Sequence, residues 1–163
     1  MTETRALTLD ATDRRLLGLL QMDANRPAKE LAAELEISES SVQRRIRRLR
    51  TAGVIERMVA VVNPAAVDRS LFLVVDVTLE REDVPTVEAF KRQMRANPEV
   101  VQCYHLTGEH TFMLVVCLPS MDAFAAFAAA VFDNNRGVKK FRTSAVMARV
   151  KDRAPIPVQG SSE

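Results

Sequence analysis

The stretch PAKELAAELEISESSVQRRIRRLRTAG, residues 27–53, decides how the first part of the chain folds. Pro27 suits a first helical position, and Leu31, Ala32 and Leu35 recur at helical spacing behind it, which predicts a helix from Pro27 to Leu35. Ser38 is a good N-cap for a second helix, which runs to about Ala52, where Gly53 is a natural stop. Only Glu36 and Ile37 separate the first of these helices from that cap. At about 100° per residue, Val42, Ile46 and Leu49 share one face of the second helix, and Ser40, Arg44, Arg47 and Arg48 share the opposite one, with Gln43 on its flank. Two short helices joined by a tight turn, the second of them basic, make the pattern of a helix-turn-helix.

The polar face has the chemistry that major-groove readout needs. Arginine pairs bidentately with guanine, glutamine with adenine, and serine reaches base edges or phosphate. Arg44, Arg45, Arg47, Arg48 and Arg50 stand within seven residues with no acid among them. All being arginine, they favour geometry-sensitive anion contacts over plain solubility. The candidate DNA contacts are Ser38, Ser40, Ser41, Gln43, Arg44, Arg47, Arg48 and Arg50, with Arg48 and Arg50 assigned to phosphate. Arg45 lies beside the apolar stripe and is expected to brace the domain or to touch a phosphate.

Upstream, Leu16, Leu17, Leu19 and Leu20 give another apolar face, predicting a helix from about Asp10 to Met22 capped by Asp10 or Thr12. The whole chain of 163 residues carries a formal net charge of only +2, which argues against a protein basic over its entire surface. Split at Pro64, the charge becomes informative: 11 basic and 9 acidic residues precede the cut, while 12 and 12 follow it. A basic helix in one part and a neutral second part suit DNA binding and self-association respectively. A hydrophobic content of 47% excludes a disordered chain. The longest apolar run, Ala123 to Phe132, is about half of a membrane span. The start, MTETRALTLD, lacks the apolar core of a secretory signal. A cytoplasmic protein is expected.

From Ser70 the pattern turns to strand. Leu71, Leu73, Val75, Val77 and Leu79 alternate with Phe72, Val74, Asp76, Thr78 and Glu80. A helix from about Pro85 to Ala96 follows, then strands Val100–Leu106 and Phe112–Leu118 joined by Thr107 to Thr111. Ser120 caps a further helix with Phe124, Phe127, Ala128 and Val131 at helical spacing, and a last strand runs from about Val138 to Val150. The order β-α-β-β-α-β is the ferredoxin-like split motif, giving an α+β two-domain chain. Its second and third strands are apolar at both parities: Val101 and Cys103 on one side of the second, Val100, Tyr104 and Leu106 on the other. A sheet covered by helices on one face only then needs a second cover, and another copy of the chain is the simplest one. A homodimer through the sheets is expected.

Rival chemistry finds little support. His105 and His110 have no acid or cysteine at metal spacing beside both, so no metal and no cofactor is expected. Cys103 and Cys117 read as buried, reduced thiols in paired strands. No nucleophile elbow, phosphate-binding loop, dinucleotide fingerprint or zinc-protease motif occurs, and the chain is read as no enzyme.

Across almost its full length the sequence resembles the Lrp/AsnC (feast/famine) family of transcription regulators. The resemblance is carried by Leu9-Asp10 with Asp13, Leu16-Leu17, Glu30-Leu31-Ala32, Ser38 followed by Val42, Arg45-Ile46 and Leu49, and Gly53-Val54-Ile55. It continues through Asn63-Pro64, Pro98-Glu99-Val100, Tyr104, Thr107-Gly108, Gly137-Val138, Thr143 and Lys151. It implies a winged-type helix-turn-helix DNA-binding domain over 1–53, a β hinge or linker over 54–69, and a ferredoxin-like effector-binding and oligomerisation domain over 70–151. Residues 152–163 are expected as a mobile tail. It further implies double-stranded DNA as partner, a homodimer assembling to a tetramer or octamer, and a small-molecule effector such as an amino acid. The effector would bind near Tyr104, Thr107, Gly108, Glu109, His110 and Thr111.

Four positions depart from the family pattern, one of them Pro27, which stands where a serine cap is common. Thr111 stands where an aspartate is usual, and threonine has no charge to offer an ammonium group. Glu36 occupies a turn position where glycine is usual, which predicts modest strain. Asn25 stands where an arginine is common. The expected function is a sequence-specific transcriptional regulator. The alternatives are a nucleoid-associated oligomer with little sequence preference, or a small-molecule sensor without specific DNA binding.

Overall fold

The computed structural model describes residues 7–133, 135–152 and 154–158. They form two compact units, one built from the N-terminal residues to Val61 together with the chain from Lys151 onward, the other from Val62 to Val150.

The first unit holds three helices, α1 (Ala11–Met22), α2 (Ala28–Leu35) and α3 (Glu39–Thr51). Asp10 caps α1 by accepting the Asp13 N–H, and Asp13 returns the bond to the Asp10 N–H, a reciprocal box built from two aspartates. Ser38 caps α3 through the Ser41 N–H. Pro27 is the residue before α2 rather than its first turn, with ψ of 140° and no side-chain cap. Leu16, Leu17, Leu20, Leu31, Ala32, Leu35, Val42 and Leu49 bury together as one core, the faces that helical spacing had aligned. Gly53, at φ of +72°, stops α3 in the left-handed region where a Cβ is disfavoured.

Two expectations for the flanking segments are corrected. Residues 54–62 form no strand within the chain, because an extended segment becomes β structure only against a partner and none of the described residues supplies one. The linker instead contains a 3₁₀ turn at Pro64–Val67, opened by the Asn63 side chain. The stretch expected as a mobile tail carries specific contacts. The Gln21 side-chain amide donates to Ile156 O at 3.1 Å and its oxygen accepts the Ile156 N–H at 2.9 Å, while Arg14 donates to Val158 O at 3.0 Å. Residues 153 and 159–163 of that expected tail lie outside the described residues.

The second unit runs β1 (Leu71–Leu79), α4 (Val84–Ala96), β2 (Val100–His105), β3 (Phe112–Leu118), α5 (Met121–Ala128) and β4 (Val138–Ala145). The strand order β2-β3-β1-β4 is antiparallel throughout, which is the ferredoxin-like topology. Leu73, Val75, Val77 and Leu79 of β1 and Phe112, Leu114, Val116 and Leu118 of β3 bury against Val87, Phe90 and Met94 of α4 and Phe124 and Phe127 of α5. After Ala128 the helix widens into a π turn, Ala129–Asp133, which turns the consecutive residues Val131 and Phe132 both inward. β4 ends at Ala145, short of the expected Val150; Ala145 pairs with Leu73, and one further bond runs from Val146 N–H to Phe72 O at 3.0 Å.

The opposite sheet face carries Phe72, Val74, Asp76 and Thr78 of β1, Met113 and Val115 of β3, and Lys140, Arg142 and Ser144 of β4. A bulge between Val100 and Gln102 alters the expected parity of β2. Tyr104 lies beside Met113 on the open face, whereas Val100, expected on the same side as Tyr104, joins the helix side opposite Val116, together with Cys103 and His105 opposite Leu114 and Phe112. The open face is therefore apolar at its centre and charged along β4. Cys117 is buried, whereas Cys103 on the edge strand is exposed, contrary to the expectation of two buried thiols.

Candidate functional site

The candidate nucleic-acid interface is the polar face of α3, and its geometry sorts the arginines by their partners. Asp13 on α1 has no exposed side-chain surface. Its carboxylate accepts Arg45 Nη1 at 2.6 Å and is also bonded by Arg48 Nη2, and Arg45 reaches Asp10 at 2.7 Å as well. A buried carboxylate is tolerated only when paired and hydrogen-bonded, so these contacts fix α3 to α1. The Arg45 guanidinium beside Asp10 holds the Asp10 carboxyl below its ordinary value.

Arg48, expected on phosphate, is thus engaged within the domain, although its side chain stays 44% exposed. Arg50 lies against Met58 Sδ. Arg44 and Arg47 are exposed, and neither makes an ion pair among the described residues. Ser40 and Gln43 are exposed on the same helix. Ser38 is occupied as the cap and also bonds the Ser41 hydroxyl at 2.9 Å, so Ser38 and Ser41 have structural work at the helix start. Glu36, in the turn, adopts the left-handed conformation at φ of +57°, and its N–H satisfies the end of α2. Sequence reading named Asp13 only within the family resemblance and missed its pairing with Arg45 and Arg48. Its only local signal was the Asp-x-x-Asp spacing of the cap.

In the second unit, Thr107 to Thr111 form the connection between β2 and β3, closed by the bond from Leu106 N–H to Thr111 O at 2.9 Å. Gly108 has φ of +135° with open space where a Cβ would stand, so the backbone and not crowding demands glycine. Glu109 is an exposed carboxylate 3.9 Å from Lys140. His110 Nδ1 lies 3.4 Å from Thr78 Oγ1. Thr111 is buried at 2% exposure, and its hydroxyl meets Glu82, a residue the sequence gave no reason to choose. Tyr104 is half exposed on the open sheet face. Among the described residues no cluster of histidine, cysteine or acids suits a metal ion.

A helix-turn-helix with a bare basic face, followed by a ferredoxin-like unit, is matched by two family models. The AsnC-type helix-turn-helix domain covers residues 9–50, and the Lrp/AsnC ligand binding domain covers residues 73–156. The chain belongs to the Lrp/AsnC family. It is 38% identical, over 94% of its length and 91% of the relative's, to an uncharacterised HTH-type transcriptional regulator of Sinorhizobium fredii. It is 31% identical to the leucine-responsive regulatory protein of Escherichia coli, covering 88% of this chain and 87% of that one. Among solved structures, a transcriptional regulator from Neisseria meningitidis in complex with L-Met superimposes with a TM-score of 0.86 at 30% identity, over 93% of this chain and 97% of that one. This Lrp/AsnC protein is therefore a helix-turn-helix transcriptional regulator with a ligand-binding domain. No helix among its described residues is long and apolar enough to cross a membrane.

Proposed function

We propose that this regulator binds a two-fold-related DNA site as a homodimer, with α3 of each copy in successive major grooves. One observation carries the reading: Arg44 and Arg47 are exposed on α3 with no ion-pair partner among the described residues, while Arg45 and Arg48 are held by Asp13. Unpaired arginines are ready to meet guanine edges or phosphates without first breaking an internal bond. Ser40 and Gln43 accompany them at base edges, and Arg48 and Arg50 add phosphate contacts from their exposed sides. Ser38 and Ser41 set the start of the helix, whose N–H groups face the DNA backbone.

The apolar centre of the open sheet, Phe72, Val74, Met113, Val115 and Tyr104, supports pairing with a second copy. Dimers assembling further to tetramers or octamers would bring several α3 helices onto one stretch of DNA. The effector is a small molecule of the amino-acid class, as in the Neisseria meningitidis complex with L-Met, bound at Tyr104 and the Thr107–Thr111 loop. The protein acts in the cytoplasm, where its DNA lies.

In vitro selection from random duplexes with the full chain tests this reading. The expected product is a pseudo-palindrome with half-sites about one helical turn apart. Retention of all sequences alike would instead establish a nucleoid-associated binder, and no retention would leave a sensor without DNA binding.

A further inference from the structure

The Thr107–Thr111 loop offers no carboxylate at position 111, yet the fold brings one there from the end of another strand. Thr111 is fixed by two bonds to the end of β1 and one to the segment that follows it. Its N–H donates to Val77 O at 2.9 Å, its Oγ1 accepts the Leu79 N–H at 3.1 Å, and the same hydroxyl donates to Glu82 Oε1 at 2.8 Å. With its only hydroxyl proton committed to Glu82, Thr111 acts as a buried anchor for that carboxylate.

Glu82 forms no salt bridge among the described residues, and the bond from Thr111 occupies one of its two oxygens. The neighbouring acids are placed differently. Asp83 caps α4 through the Thr86 N–H and meets Arg81 at 3.0 Å, and Glu109 is 78% exposed and faces Lys140. Among the described acids near the loop, Glu82 combines an anchoring hydrogen bond from a buried hydroxyl with an oxygen that no described residue bonds. A carboxylate held in this way binds an ammonium group by a charge-assisted bond and gives up little rotamer freedom in doing so.

We propose that Glu82, oriented by Thr111, is the carboxylate that receives the α-ammonium group of an amino-acid effector. The proposal rests on the effector reading above and deepens it by naming the group that distinguishes an amino acid from other small acids.

The test uses the full chain. Thermal shift against each of the twenty standard L-amino acids finds binders, and calorimetry then compares each binder with its 2-hydroxy acid, which lacks the ammonium group. The expected result is that the amino acid binds and the hydroxy acid does not. Glu82→Gln should weaken amino-acid binding about ten- to hundredfold, the loss expected for one charge-assisted bond. Adding Thr111→Asp to Glu82→Gln should restore much of it. Equal binding of amino and hydroxy acids by the wild type, or unchanged affinity in Glu82→Gln, overturns the role of Glu82 and leaves the effector reading standing. Failure of the wild type to bind any amino acid overturns both.

Discussion

The carboxylate of Asp13, with no exposed surface, accepts a hydrogen bond from Arg45 of α3 at 2.6 Å. That relationship divides the arginine run of α3 into residues that hold the domain together and residues left for a partner. Removing one member of a buried pair leaves the other uncompensated, but Arg45 and Arg48 keep access to water, at 23% and 44% exposure. Asp13→Ala should therefore destabilise the N-terminal unit by about 2–4 kcal/mol, near the low end for a broken buried pair. Denaturant unfolding followed by circular dichroism measures it, and a loss under about 0.5 kcal/mol would remove Asp13 from its bracing role.

The same cluster sets an acid limit. Asp10 has its pKa lowered from the ordinary 3.8, first by its hydrogen bond from Arg45 and then by the Asp13 N–H. A depressed carboxylate binds fewer protons folded than unfolded, so its contribution is complete above pH 3.8 and drains away as pH falls through the folded value. Stability of the wild type should thus fall with acidification in that range, and Asp10→Asn should flatten the slope. An identical pH profile for both proteins would contradict the assignment.

Glu36 holds a left-handed φ of +57° at the helix-turn-helix corner. For a residue with a Cβ this conformation costs about 1–2 kcal/mol, part of which glycine forfeits through its larger unfolded-state entropy. Glu36→Gly should raise the stability of the unit by up to about 1 kcal/mol, read as a higher denaturation midpoint with unchanged slope. A destabilised variant would show that the glutamate side chain has a compensating contact.

Thr143 Oγ1 on β4 is buried without a hydrogen-bond partner among the described residues. Its neighbour across the sheet is Val75, on the face covered by the helices. Thr143→Val keeps the shape and removes the unsatisfied hydroxyl, so it should leave the second unit as stable or stabilise it by about 1 kcal/mol. A thermal unfolding midpoint lowered by several degrees would mean that the hydroxyl is bonded in the assembled protein.

Much of this was legible in the residues, for reasons that differ by region. The capping serine at 38, the stripe Val42 and Leu49, and the alternation Leu73, Val75, Val77 are local patterns, and the helices and strands followed them. What escaped the sequence depends on distant groups. Asp13 meets Arg45 and Arg48 across 32 and 35 residues, and Glu82 meets Thr111 across 29, so no window of neighbouring residues contains either pair. The β2 bulge put Val100 and Cys103 on the same face, where opposite faces were expected, because one extra residue inverts the parity across it. Ile156 and Val158 looked like tail because a short Pro-containing segment has no periodicity, yet Gln21 and Arg14 bind its backbone.

The central claim is that Arg44 and Arg47, without an ion-pair partner among the described residues, make the contacts that hold α3 on its DNA site. Fluorescence anisotropy on a duplex selected by the wild type, repeated across salt concentrations, tests it most directly. Arg44→Ala and Arg47→Ala should each weaken binding by at least about fivefold, consistent with losing one contact worth about 1–3 kcal/mol. If the lost contact is to phosphate, the log–log salt slope should become shallower by about 0.9. Both variants should keep the wild-type unfolding midpoint. Wild-type affinity in both variants at physiological salt would contradict the account.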